Sequence, residues 1–217
     1  SDFQLVKEEG ADQVSIALVM DHSGSMAGAP LADAKVAAEA CANNMDPETQ
    51  RMALIPYDDT SSVSVPLTNS APTLISGIWE LSDAGGTYIS GALRTALTEL
   101  DTAGGTRAII LLTDGQDGGS EEEMMEVLEL AKEKGIAIFT IGLGEVNEAY
   151  LRTIANTTGG KFIVAESSTE LADIYLLLQR YIVNNYCFEY TVTENPDTDP
   201  RSLTVGIPAY SEDDMKA

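Results

Sequence analysis

The sequence predicts a doubly wound α/β domain, with a mostly parallel central sheet flanked by helices and a C-terminal β-hairpin appended to it. Short, almost wholly apolar runs recur along the chain, which is typical of parallel strands covered on both faces; they span residues 14–20, 51–57, 106–113, 136–142 and 161–165. Segments with helical periodicity separate these runs, and this alternation favours right-handed crossovers. Ligands of such folds bind at the carboxyl ends of the strands.

The remaining elements follow the same logic in chain order. Residues 61–67 alternate in polarity and contain Pro66, which favours an edge strand. Helices are predicted where apolar residues recur three and four positions apart. Two of these helices open with the capping pattern Ser-x-x-Glu, at Ser120 and at Ser167. The five predicted helices span about 31–45, 88–103, 120–135, 147–157 and 168–183.

The chain is long enough for one domain with a small accessory element. Its 217 residues are 44% hydrophobic, which permits one full core but makes two independent domains a tight fit. We assign residues 12–183 to the domain and residues 184–217 to the hairpin and tail, because two strand-like runs there flank a turn-rich segment. Residues 1–11 form an N-terminal extension whose strand-like part could pair with the hairpin.

Charge excludes several classes of partner. The chain carries 12 Lys and Arg against 35 Asp and Glu, a formal net charge of -23. This field repels nucleic acid and anionic membrane surfaces. Since no apolar run approaches the roughly 20 residues of a membrane-spanning helix, no direct membrane insertion is expected.

Cys41 lies on the apolar face of a predicted helix, so we favour a small buried hydrophobe there over a disulfide with Cys187.

Three predicted loops bring oxygen ligands to the carboxyl edge of the sheet. Directly after the first strand, the run DHSGSM places one carboxylate and two hydroxyls on a single turn. A further hydroxyl precedes the helix at 88–103, and a further carboxylate follows the central strand. The candidate metal ligands are Asp21, Ser23, Ser25, Thr87 and Asp114.

The ligand types indicate which metal such a site would hold. Carboxylate and hydroxyl oxygens suit Mg²⁺, with Mn²⁺ or Ca²⁺ as alternatives, whereas Zn²⁺ normally recruits His or Cys. Only two of the five ligands carry charge, so the ion would stay electrophilic toward a further anionic oxygen.

At this point the sequence resembles a known family. The pattern Asp21-x-Ser23-x-Ser25 with Thr87 and Asp114 is similar to the metal-ion-dependent adhesion site of von Willebrand factor type A domains. The resemblance implies a metal-dependent, non-enzymatic adhesion or recognition module that binds a protein ligand through a Glu or Asp side chain. The second metal site of integrin β-subunit domains is not expected, because Gly28 and Ala29 stand where two acids would be.

Several residues near the site allow more than one interpretation. His22 and Gly86 are assigned to the rim of the site, where they could contact a ligand. Asp117 could tune specificity or be an ordinary solvated loop acid. Asp58 and Asp59 follow a strand and are similarly ambiguous. Taken alone, Asp21 or Ser23 would more often be a helix cap or a turn residue than a ligand.

Two other functions compete with recognition. An Mg²⁺-dependent phosphatase of the haloacid dehalogenase type would use two aspartates two positions apart, but Ser23 replaces the second one and no suitable lysine follows. An intracellular assembly subunit of a chelatase-type ATPase would keep the fold and place the protein in the cytoplasm. The hairpin and the acidic surface instead favour an extracytoplasmic protein, secreted or on the cell surface, similar to bacterial proteins of this family.

Overall fold

The structure, a computed structural model, describes residues 13–115 and 117–183. Its six strands form one sheet in the order β3-β2-β1-β4-β5-β6, in which only β3 runs antiparallel to its neighbour. The predicted mostly parallel sheet is thereby confirmed. The strands are β1 (Val14–Asp21), β2 (Gln50–Tyr57), β3 (Val65–Thr68), β4 (Thr106–Thr113), β5 (Ala137–Leu143) and β6 (Phe162–Ala165).

Helices cover both faces of this sheet. Alternate side chains of β1 point to opposite faces, so Ile16 and Leu18 belong to one buried cluster while Ala17 and Val19 belong to another. The first cluster includes residues of α1, α2 and α6, and the second includes residues of α3, α4 and α5. The helices are α1 (Ala29–Asn43), α2 (Ala71–Glu80), α3 (Ile89–Glu99), α4 (Glu121–Glu133), α5 (Glu148–Thr158) and α6 (Leu171–Val183).

The helix α2 was not predicted from the sequence. Its N-cap Ser70 accepts a hydrogen bond from the Thr73 amide, and a proline stands in its first turn. Leu74 and Ile78, four residues apart, are completely buried against the sheet. The capping serine and the following proline were the local signals for a helix start.

The structure corrects two predicted boundaries and shows the environment of Cys41. The edge strand predicted at 61–67 is the shorter β3, which pairs with β2. The predicted cap at Ser167 does not form, because its side chain accepts no helix amide and a 3₁₀ turn at Ser168–Glu170 precedes α6. Cys41 is free and buried in the core, as the apolar face of α1 predicts.

The described residues contain no helix long and apolar enough to cross a bilayer. The predicted N-terminal extension (1–11), the predicted hairpin (184–217) and Cys187 lie outside the described residues.

Candidate functional site

The candidate site lies at the carboxyl ends of the two central strands of the sheet, β1 and β4. β1 and β4 are adjacent and parallel there, while β2 lies on the other side of β1. The loops that follow β1 and β4 therefore leave the sheet side by side. The segment before α3 joins them, because the Gly24 amide donates to the Gly85 carbonyl at 3.1 Å. This is the position that the strand order of a doubly wound sheet favours for a ligand site.

The loop after β1 is folded around the Asp21 carboxylate. Asp21 ends β1 and is completely buried, and its Oδ1 accepts the Ser23 amide at 2.9 Å. A 3₁₀ turn at Gly24–Met26 follows and buries Met26 beneath the loop. Ser23 is buried and Ser25 is exposed, so the two hydroxyls lie on the boundary between the core and solvent.

Three of the five predicted ligands contact one another in a chain. The Ser23 and Ser25 hydroxyl oxygens lie 3.1 Å apart, and the Ser25 hydroxyl donates to Asp114 Oδ1 at 2.8 Å. The last two residues are 89 positions apart in sequence, so the fold creates this cluster.

Two residues that the sequence analysis missed hold Asp21 from the core side. Its Oδ2 accepts the Thr113 hydroxyl at 2.9 Å and the Tyr57 hydroxyl at 3.3 Å. Burial, followed by the nearby Asp21 charge, raises the pKa of Tyr57 well above its usual value, so this hydroxyl keeps its proton and donates. No pattern within the segment identifies Tyr57, because its closeness to Asp21 depends on the register between β1 and β2, in which the two residues are paired.

The Thr87 side chain lies beside the residue that follows Asp114. A Cβ added to Gly115 would lie 3.2 Å from Thr87 Oγ1, so the two loops touch at this point. The Gly118 amide donates to the Thr87 carbonyl at 2.7 Å, which fixes the backbone of the segment.

The predicted rim residues have distinct surroundings. The His22 Nδ1 lies 2.8 Å from the Ser82 carbonyl oxygen, and because a carbonyl only accepts, this nitrogen carries the proton. Gly86 packs against Asp59, where an added Cβ would lie 2.5 Å from a carboxylate oxygen. Asp117 accepts three hydrogen bonds from the protein, from the Ile89 and Gly119 amides and the Tyr150 hydroxyl.

Other acids and glycines at this edge have structural functions. Asp58 accepts the amide and hydroxyl of Thr60. Gly28 precedes α1 with φ of +84°, a conformation that favours glycine over the acidic residue of a second metal site.

Two carboxylates share the centre of this site. Partial burial, opposed by the Ser25 hydrogen bond, raises the pKa of Asp114, and the Asp21 charge raises it further. The ion pairs formed between described residues involve neither carboxylate. A cation bound between them would offset both burial and mutual repulsion.

The donor set fits a hard cation. Ligands at the 2.0–2.1 Å typical of octahedral Mg²⁺ stand about 2.9 Å apart along each edge. The two oxygen separations of 2.8 and 3.1 Å are hydrogen-bond distances and are also compatible with that spacing. Within the described residues, no three His, Cys, Asp or Glu side chains cluster as a metal group. The candidate site differs from such a cluster because three of its five oxygens are hydroxyls.

Comparison with known proteins identifies relatives of this chain. Among curated proteins, an uncharacterized protein of Synechocystis sp. is 28% identical over 163 residues, which cover 72% of this chain and 39% of that protein. Matrilin-1 of Mus musculus is 25% identical over 207 residues, 89% of this chain and 40% of matrilin-1. The chain thus spans about two fifths of these relatives.

Solved structures show the same fold. A von Willebrand factor type A protein from Catenulispora acidiphila superposes with a TM-score of 0.72 at 22% identity, over 77% of this chain and 42% of that one. Proximal thread matrix protein 1 from the mussel byssus, with a zinc-occupied metal-ion-dependent adhesion site, gives 0.69 at 22% identity, over 81% and 47%. The family model of the von Willebrand factor type A domain matches residues 15–176, three quarters of the chain, and this protein therefore belongs to that family.

Proposed function

We propose that this domain is a metal-dependent recognition module that holds Mg²⁺ and binds a protein partner through it. The proposed ligands are Asp21, Ser23, Ser25, Thr87 and Asp114. The observation that carries the proposal is the run of close contacts from Ser23 through Ser25 to Asp114, which brings three candidate oxygen ligands from two loops together at the carboxyl ends of the strands.

The proposed partner presents a Glu or Asp side chain to the ion. The two carboxylates balance the charge of a divalent cation only formally, and the three hydroxyls add no charge. A bound ion would supply Lewis acidity toward one further anionic oxygen. Ser25 is exposed, which leaves the site open on its solvent side.

Mg²⁺ is proposed over zinc because of the donor set. The mussel relative carries zinc in its adhesion site, yet oxygen-only ligands hold Mg²⁺, Mn²⁺ or Ca²⁺ well, and zinc in proteins prefers His and Cys. His22, the chain's one histidine, directs its Nδ1 to the Ser82 carbonyl.

A binding function is also favoured over an enzymatic one. The position where a phosphatase would carry its second aspartate holds Ser23, whose hydroxyl lies against Ser25.

We place the domain outside the cytoplasm, as the matrix protein of the mussel byssus suggests. Protease treatment of intact cells that express the full-length protein should cleave the domain; resistance in intact cells with cleavage after lysis would contradict this location.

Titration calorimetry with MgCl₂ tests the metal site. We expect one site in the wild type and, for Asp114→Asn, a loss of affinity on the order of 100-fold or more, because a charged ligand is removed. The matched control is Asp83→Asn, which removes the same charge from an exposed residue of the segment before α3. Equal Mg²⁺ affinity in the Asp114 variant and the wild type would refute the assignment.

Asp21 is the less suitable position for that test. Its carboxylate accepts the Ser23 amide and the hydroxyls of Tyr57 and Thr113 in the core, so its removal would also lower stability.

Peptide selection tests the recognition mode without a known partner. A random peptide library displayed on phage would be bound in MgCl₂ and eluted with EDTA. We expect each Mg²⁺-dependent peptide to contain Asp or Glu. A peptide in which that acid is replaced by Asn or Gln should bind much more weakly. Peptides that bind equally well in EDTA, or to the Asp114→Asn domain, would show that recognition uses another surface.

A further inference from the structure

Asp117 lies three residues beyond the proposed ligand Asp114, and each of its carboxylate oxygens is engaged by the protein. Its Oδ1 accepts the Ile89 amide at 2.8 Å and the Gly119 amide at 3.0 Å. Its Oδ2 accepts the Tyr150 hydroxyl at 2.7 Å. The side chain thus joins its own loop to the start of α3 and to α5.

The contact with α3 acts directly on the segment that carries Thr87. Ile89 is the first residue of α3, and the N-cap residue Tyr88 provides no side-chain cap. Asp117 supplies that cap from another loop, where a negative charge is favourable beside the helix amides. The Gly118 amide also donates to the Thr87 carbonyl, so the loop after β4 forms hydrogen bonds with the residues before and after Tyr88.

Close packing of the loop after β4 also restricts the position of the segment that carries Thr87. A Cβ added to Gly118 would lie 3.0 Å from the Thr87 carbonyl oxygen, and one added to Gly119 would lie 2.4 Å from the Ser90 hydroxyl. The loop that carries Asp114 therefore packs closely against the Thr87 backbone and the Ser90 side chain. A shift of this loop would change the distance between Asp114 and Thr87.

Tyr150 binds the second carboxylate oxygen of Asp117, the one that the backbone amides leave free. It lies in the first turn of α5, an element that contributes no proposed ligand. Partial burial and the hydrogen bond to Asp117 raise the pKa of Tyr150, so its hydroxyl keeps the proton that it donates.

We propose that Asp117, held by Tyr150, is a positioning residue that sets the separation between Thr87 and Asp114 and thereby the metal affinity of the site. This inference rests on the proposed function. Residues that orient metal ligands typically change metal affinity by about 10- to 100-fold when they are removed. We expect a loss of that size for Asp117→Ala and a smaller loss for Tyr150→Phe, which deletes one of the three hydrogen bonds.

The test compares Mg²⁺ affinity by calorimetry with thermal stability measured in EDTA. The matched control is Asp46→Ala. Asp46 also accepts hydrogen bonds within a loop, from the Glu48 amide and the Thr49 hydroxyl, but it precedes β2 and so lies at the opposite edge of the sheet. We expect Asp46→Ala to lower the melting temperature and to leave the Mg²⁺ dissociation constant unchanged, whereas Asp117→Ala raises that constant.

A folded Asp117→Ala protein with wild-type Mg²⁺ affinity would overturn the inference. Should Asp117→Ala fail to fold, Tyr150→Phe decides, and an unchanged dissociation constant in that variant overturns the inference. A wild-type protein that binds no Mg²⁺ would refute the proposed function and this inference with it. That result differs from a wild type that binds the ion and an Asp117 variant that binds it equally well.

Discussion

Tyr57 and Tyr175 are both completely buried, but their hydroxyls have different surroundings. The Tyr57 hydroxyl donates to Asp21 and lies 3.1 Å from the Leu112 carbonyl oxygen. Among the described residues, the Tyr175 hydroxyl has no hydrogen-bond partner. A buried hydroxyl stabilises a fold only where it finds a partner, so the two tyrosines should respond differently to removal of this one atom.

We predict that Tyr57→Phe lowers the free energy of unfolding by about 1–3 kcal/mol, because Asp21 and Leu112 each lose a buried contact. Tyr175→Phe serves as the control and should change it by less than about 0.5 kcal/mol, or stabilise the protein, since an unsatisfied polar atom is removed. Urea unfolding of both variants measures the difference. Equal losses would show that the Tyr57 hydroxyl does not support Asp21.

The site residues differ in how well the sequence could predict them. The contact between Ser25 and Asp114 shows that the loops after β1 and β4 converge. This convergence was predictable because both loops follow apolar strands that the sequence pattern identifies. The positions of Tyr57 and Tyr150 depend on strand register and on the packing of α5, which a pattern in one segment does not contain. As ligands, the five residues stay a prediction until metal binding is measured.

At the scale of elements, α4 and α6 share a capping pattern but begin differently. Ser120 accepts the Glu123 amide at 3.1 Å while Glu123 accepts the Ser120 amide at 3.0 Å, which forms a complete capping box. Ser167 instead contacts the Thr169 hydroxyl at 2.8 Å. Glu170 accepts the Glu166 amide at 3.3 Å, which belongs to the residue before the expected cap.

We predict that Ser120→Ala lowers the free energy of unfolding by about 1 kcal/mol, because the first turn of α4 loses its cap. Ser167→Ala has the same residue change and sequence pattern but no cap to lose, and its effect should stay within about 0.5 kcal/mol. Thermal unfolding at matched pH compares them. A loss in the Ser167 variant as large as in the Ser120 variant would contradict the assigned helix start.

The helices also show where sequence patterns fail. The helix α4 was predicted because its cap, its apolar spacing and its terminal glycine agree. The helix α2 was missed because it has only ten residues and contains Gly77. A Cβ added to Gly77 would lie 2.4 Å from the Val65 side chain, so the two residues pack closely. Its glycine is explained by packing against β3, a contact made only in the folded protein.

At the scale of the whole molecule, the formal net charge of -23 destabilises the folded state by self-repulsion. The same negative charge makes it unfavourable to keep the two carboxylates of the site ionised. Self-repulsion of this kind destabilises a folded chain, and salt screens it over a Debye length of about 8 Å at physiological ionic strength. A divalent cation would act in two ways, by screening the surface and by binding the site. Only the second effect requires Asp114.

We predict that NaCl raises the melting temperature of the wild type and of Asp114→Asn by similar amounts, because both carry nearly the same surface charge. MgCl₂ at matched ionic strength should raise that of the wild type further, since an ion at 100 times its dissociation constant stabilises the state that binds it by about 2.7 kcal/mol. The variant should show only the residual screening by a divalent ion, without saturation. Differential scanning calorimetry over a series of MgCl₂ concentrations separates the two effects. If the wild type and the variant gained equal stability at every concentration, Mg²⁺ would act on the acidic surface as a whole, and the carboxylates at the centre of the sheet edge would have no special affinity for it.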